Sequence, residues 1–157
     1  MPALDRSVAT LRVIGDDLRP EEITHALGCA PTKSQRKDEV IRHPKSGKER
    51  IARIGMWSLE ATDRVPSDPD AQVAEILAKL TADLDVWRSI TTSFRVDVFF
   101  GLFMKEWNEG LSLAPATMAA LGSRGIEADF DIYGPTPEES NQSAQTTPGL
   151  RPSVSDL

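Results

Sequence analysis

A chain of 157 residues with 39% apolar and 27% charged side chains is long enough for a sizeable hydrophobic core and has the composition of an ordinary globular protein. Its net charge of −6 argues against a general attraction to nucleic acid or to anionic membrane. A single cysteine, Cys29, excludes an internal disulfide framework and fits a reducing compartment.

The opening stretch MPALDRSVATLRVIG carries Asp5 and Arg6 early and has no long apolar run, so it does not read as a signal peptide. A cytoplasmic location without membrane contact is the expectation. Residues 7–14 alternate as a strand with Ala9, Leu11 and Val13 on one face. LRPEEITHALG follows. Pro20 suits a first helical position, Glu21 and Glu22 suit the positive end of the helix dipole, and Gly28 suits a left-handed stop.

Residues 33–53 form a distinct block. Val40 and Ile41 on one side, and Ile51 and Ile54 on the other, flank a His-Pro-Lys-Ser-Gly turn, which predicts a hairpin. The returning strand is expected to continue through Gly55 into MWSLEA, with Trp57 and Leu59 facing the core. After the linker 62–69, Ser67 or Asp68 can cap a helix. Val73, Ile76, Leu77, Leu80, Leu84 and Trp87 then recur at helical spacing, predicting one amphipathic helix of about five turns. A strand at 94–103 places Phe94, Val96, Val98, Phe100 and Leu102 on one face, and MKEWNEG is a loop. LAPATMAALG (113–122) reads as a second helix begun by proline and ended by glycine, and 126–133 as a last strand with Ile126, Ala128, Phe130 and Ile132 inward.

From residue 135 the chain holds four prolines and almost no apolar side chains, so 135–157 is expected to be a disordered tail behind a domain at 1–134. The pattern predicts an α+β fold: a ferredoxin-like split βαβ unit with an appended αβ pair, its mainly antiparallel sheet covered by helices on one face. The likeness of LRPEEITHALG to LAPATMAALG reflects either an internal duplication or only shared capping logic.

The pieces LRPEEITHALGCAPT, the tryptophan of GMWSLEA, the helical segment 70–90 and LAPATMAALGSRGIEADFDIY, in this order, resemble a bacterial family catalogued as a domain of unknown function, number four-two-seven-nine. Members carry a basic residue followed by Gly-Asp after the Pro-Thr, whereas here Lys37 is followed directly by Asp38. The resemblance implies a domain over about 8–134 and no activity.

Three constellations carry chemistry. The block 33–53 holds eight basic against three acidic residues, a net of +5 that leaves −11 on the rest of the chain. Lys33, Arg36, Lys37, Arg42, Arg50 and Arg53 are therefore candidate contacts for an acidic protein partner, although the same composition also protects a solvated sheet edge. No aromatic residue interleaves these cations, which disfavours nucleic acid. Second, Glu127, Asp129 and Asp131 share one strand face, and Asp97 joins them if the two strands are neighbours. Such carboxylates would suit Mg²⁺ or Ca²⁺, or an enzyme acting on a small molecule, while Arg95 would neutralise one of them. Third, His25 and Cys29 are one helical turn apart, with His43 elsewhere, but the spacing of a zinc site is missing. Trp107 either anchors a partner or, more commonly for a loop tryptophan, folds back over the core. Phosphate-loop, nucleotide-binding and nucleophile-elbow motifs are absent, so no cofactor is implied. The leading expectation is a binding or self-associating module without catalytic machinery.

Overall fold

In a computed structural model, which describes residues 2–137, four helices accompany a five-stranded mixed sheet and a separate two-stranded one. The expected tail lies, from residue 138, outside the described residues. The central strand β1 (Arg6–Gly15) buries alternate side chains because its apolar positions recur every second residue, and Ala9, Leu11 and Val13 are fully enclosed. Its antiparallel neighbours are β5 (Gly55–Glu60) and β6 (Arg95–Phe103). The short β2 (Lys33–Gln35) lies antiparallel outside β5, and β7 (Glu127–Tyr133) lies parallel outside β6. The sheet order is β2-β5-β1-β6-β7. The expectation of a mainly antiparallel sheet holds for three of its four pairings. The last is parallel because a helix, not a hairpin, joins β6 to β7.

The helices pack against the face that carries Leu11, Val13, Trp57, Val98 and Phe100. Helix α1 (Pro20–Leu27) stops at Gly28 in the left-handed conformation, φ 81°, whose N–H donates to Thr24 O at 2.9 Å. Trp57 sits beneath it and donates its indole N–H to Thr24 Oγ1 at 3.0 Å.

The single five-turn helix expected over 70–90 is two helices, α2 (Pro69–Ala78) and α3 (Leu84–Ser93). The cause is local. Thr81 Oγ1 accepts from Asp83 N, and the Asp83 carboxylate accepts from Asp85 N, so short polar side chains satisfy amides that a continuous helix would use. Thr81 N donates to Leu27 O at 3.0 Å, which ties the break to the end of α1. Trp87 and Ile90 stay in the core, whereas Leu84 turns out to solvent. Phe94, expected to open the strand, is instead the residue that ends α3.

The last helix, α4 (Pro115–Arg124), runs past the glycine expected to stop it. Gly122 is helical, and Gly125, φ 71°, is the true terminus. The two Leu-x-Pro segments thus start alike, each with proline in the first turn and no side-chain cap of its own, but only the first ends at its Leu-Gly. For α4 the missing cap comes from elsewhere. The Asp70 carboxylate, in the first turn of α2, accepts from Ala114 N at 3.0 Å and from the Thr117 hydroxyl. Asp70→Ala is expected to lower stability by about 1 kcal/mol, as loss of a helix cap does, with an unchanged urea m-value. Full stability in urea unfolding would mean that water caps α4 equally well.

The basic block is a hairpin, as expected, but not one continuous with the sheet. Strands β3 (Val40–Arg42) and β4 (Glu49–Ile51) pair with each other alone, while residues 33–35 belong to the main sheet. Reciprocal bonds from Asp38 N to Ala52 O, 2.7 Å, and from Ala52 N to Glu39 O, 2.8 Å, close the hairpin's base. Asp38 adopts a left-handed φ of 68° there. Beyond the buried Ala52 the chain bends at Arg53 and Ile54 before β5, which is why β4 does not run on through Gly55.

Candidate functional site

The face of the sheet away from the helices has two chemically different parts. Over β1, β6 and β7 it is an ion-pair network. Arg12 stands opposite Asp97 in register and grips its carboxylate with two bonds, Nε at 2.8 Å and Nη2 at 2.7 Å. Asp97 is fully buried. Arg95 reaches Asp129 at 2.7 Å, Asp97 at 3.3 Å and Glu127 at 3.7 Å, and Arg12 lies 3.6 Å from Asp129. The Arg12 guanidinium also lies 4.7 Å above the Phe99 ring. Its hydrogen bonds to Asp97 raise its pKa further, against the opposing effect of burial and with help from the nearby charges of Asp97 and Asp129.

The structure therefore brings Asp97, Glu127 and Asp129 together, with Asp131 further along the same strand face. Arginine nitrogens, not an open cavity, lie between them. Among the described residues no group of three or more His, Cys, Asp or Glu is arranged to hold a metal ion. Arg12 escapes a motif search, but it has a signal. A charged residue between Leu11 and Val13 on one apolar strand, and another between Val96 and Val98 on a second, suggest a cross-strand pair.

Over β2 and β5 the same face is covered by the β3–β4 hairpin. A cleft of about 290 Å³ lies between them, with Met56 and Ser58 of β5 as floor, Lys33 and Gln35 of β2 as wall, and Ile41 and Arg50 of the hairpin as roof. A larger hollow of about 610 Å³ shares Lys33, Ile41 and Arg50 with it and adds Arg42 and Lys48. The roof forms because Ile41 and Arg50 are cross-strand partners on one hairpin face, while Val40 and Ile51 point the other way into solvent. Arg50 Nη2 donates to Gln35 Oε1 at 3.1 Å, which holds the roof to the wall.

The cations around this cleft are unevenly neutralised. Lys33 lies 3.3 Å from Glu60, and Arg42 lies 2.7 Å from Glu49. Arg50 meets only a neutral amide, and neither it nor Lys48 has an ion pair among the described residues. The site thus offers an apolar lining, Ile41 and Met56, beside the positive charge of Arg50.

The other expected contacts lie elsewhere. Arg36 pairs with Glu21 of α1 and Lys37 with Asp16 at 3.0 Å, so both tie the β2–β3 turn to the body of the protein. The bond to Asp16 raises the Lys37 pKa. Arg53 is exposed at the bend before β5. Trp107 does not fold back over the core. It is 75% exposed in the loop after β6, at the end of the sheet where β1 begins, while β2 leads into the hairpin at the opposite end. His25 is exposed on α1, and His43 Nδ1 accepts the backbone N–H groups of Lys45 and Ser46 inside its own turn. Cys29 is half-buried against the core and donates weakly to Ala30 O.

Residues 5–135 match a family model described as "Domain of unknown function (DUF4279)". No curated protein and no solved structure matches the chain. No helix among the described residues is long and apolar enough to cross a membrane.

Proposed function

The chain belongs to the DUF4279 family, and from the chemistry of the cleft we propose that it is a binding module for an acidic, partly apolar polypeptide segment. One observation carries this reading: Arg50, beside Ile41 in the roof of the cleft that Met56 floors, is without a carboxylate partner among the described residues. A guanidinium above an apolar surface favours a ligand that brings both an acidic group and an aliphatic side chain. Lys48 extends the same field, and Lys33 and Arg42, paired with Glu60 and Glu49, stand beside it. We further read the core as a ferredoxin-like split βαβ unit with an appended αβ pair. The order β2-β5-β1-β6, with β5 between the parallel β1 and β2, supports that reading. In it the helices occupy one face and leave the other for the hairpin and its ligand.

The test is a fluorescence-anisotropy titration of a labelled synthetic peptide of alternating glutamate and leucine. The wild type should bind, and more weakly as salt rises. Arg42→Glu/Arg50→Glu should weaken binding by more than about tenfold, because like charges then face the peptide. Equal affinities for wild type and variant would overturn the proposal.

A further inference from the structure

The main sheet ends in two strands with unpaired outer edges. Among the described residues β2 pairs only with β5, and β7 only with β6. Exposed edges are templates for further strands, and native proteins commonly use charge to control what joins them. Here the two edges carry opposite charge on the same face. The open face of β7 presents Glu127, Asp129 and Asp131. Among the described residues Arg12 and Arg95 pair with Asp97, Glu127 and Asp129, while Asp131 accepts from the Tyr133 hydroxyl and has no ion pair. The same face at β2, under the hairpin, carries Lys33, 3.3 Å from Glu60, and Arg50, which has no ion pair among the described residues. On its other face β7 leaves Phe130 and Ile132 exposed, at 44% and 60%.

We infer that the protein assembles head to tail with copies of itself, the β7 edge of one copy adding to the β2 edge of the next. The strand directions allow it. β2 runs parallel to β1 and β7 runs antiparallel to it, so copies laid side by side in the same orientation bring β7 and β2 together as an antiparallel pair. Charge selects this pairing over the alternatives. Two β7 edges joined with their acidic faces aligned would set carboxylate against carboxylate, and two β2 edges would set cation against cation. Only the unlike pair places Lys33 and Arg50 opposite Glu127 and Asp131. Because the two edges are different surfaces, the contact is heterologous and closes into a ring or grows as a chain.

Sedimentation velocity of the full chain tests this. At low salt the wild type should show a mass that rises with concentration and falls when salt is added. Glu127→Lys/Asp131→Lys should remain monomeric, and Glu127→Gln/Asp131→Asn should assemble more weakly than the wild type. Lys33→Glu/Arg50→Glu should also remain monomeric alone. Mixing the two charge-reversed chains should restore assembly, since one then has two basic edges and the other two acidic edges. A wild type that stays monomeric at every concentration, reversed chains that assemble unchanged, or a mixture that stays monomeric would overturn the inference. Glu127 and Asp131 do not line the cleft, so peptide binding by Glu127→Lys/Asp131→Lys separates a failure here from a failure of the binding proposal.

Discussion

Arg12→Ala is expected to destabilise the fold by about 3 kcal/mol, the lower end for breaking a buried ion pair, measured as a shift in the urea midpoint. The variant leaves the Asp97 carboxylate in the middle of the sheet, fully buried, with one of its two guanidinium partners gone. Two observations keep the cost from being higher. Arg12 is itself 26% exposed on its side chain, and Arg95 stays 3.3 Å from Asp97. Arg95→Ala, by contrast, should cost no more than about 1 kcal/mol, because its side chain is 52% exposed and its pairs are largely screened. Replacing both partners of the buried pair, as Arg12→Met/Asp97→Leu, should be milder than Arg12→Ala, since no lone charge is then left inside. A loss below about 1 kcal/mol for Arg12→Ala would show that Arg95 compensates Asp97 unaided.

Gly55→Ala should be nearly as damaging, about 2–3 kcal/mol, for a steric reason. Gly55 opposes Gly15 where β1 and β5 meet at the end of the sheet near the hairpin. A Cβ at position 55 would lie 2.5 Å from the Gly15 carbonyl oxygen and 3.1 Å from Leu18 Cβ. The carbonyl belongs to the backbone of the central strand and cannot move without disturbing the ladder that positions the cleft floor. Gly15→Ala should be tolerated better, because the obstacle at 2.5 Å is the Phe94 ring, a side chain that can turn. Gly122→Ala serves as the control. It has open space around its Cβ and a helical backbone, so it should raise stability by about 0.5–1 kcal/mol. A Gly55→Ala protein as stable as the wild type would mean that β1 and β5 separate more easily at that end than their pairing suggests.

The central strands, the starts of α1, α2 and α4 and many core positions were legible because each follows from local rules, whereas Phe130 and Ile132, expected inward, stand exposed on the edge strand β7. Alternation marked β1 and β6, proline and acidic residues marked the start of α1, and Asp68, one of two candidates, caps α2 through Ala71 N. The misreadings arise where local pattern does not decide the structure, the first of them because periodicity does not register a competing hydrogen bond. The apolar repeat runs unbroken through Leu77, Leu80 and Leu84, but the side chains of Thr81 and Asp83 take the amides and divide the helix. Gly122 has the company of a helix stop, but nothing requires a left-handed residue until Gly125. The hairpin's separation from β5 depends on a reciprocal pair of bonds between residues fourteen or so positions apart, which no local pattern announces.

The site was legible only by charge. A net-positive block was visible, but six candidate cations along a chain do not say which converge. Lys33, Arg42 and Arg50 do, because β2 belongs to the main sheet while the hairpin folds back over the sheet's open face. Arg36 and Lys37 are drawn away by Glu21 and Asp16, residues that belong to a different element and precede the block. Met56 and Ser58, which make the floor, carried no functional signal, since their alternation with Trp57 and Leu59 reads only as the solvent side of a strand.

The most direct measurement is the map of backbone amide chemical-shift changes as the glutamate–leucine peptide is added to the full chain. Binding in the cleft predicts changes centred on Lys33–Gln35, Met56–Ser58, Ile41 and Arg50, and their loss in Arg42→Glu/Arg50→Glu. Changes centred instead on the Trp107 loop or the helices, or none at saturating peptide, would contradict it.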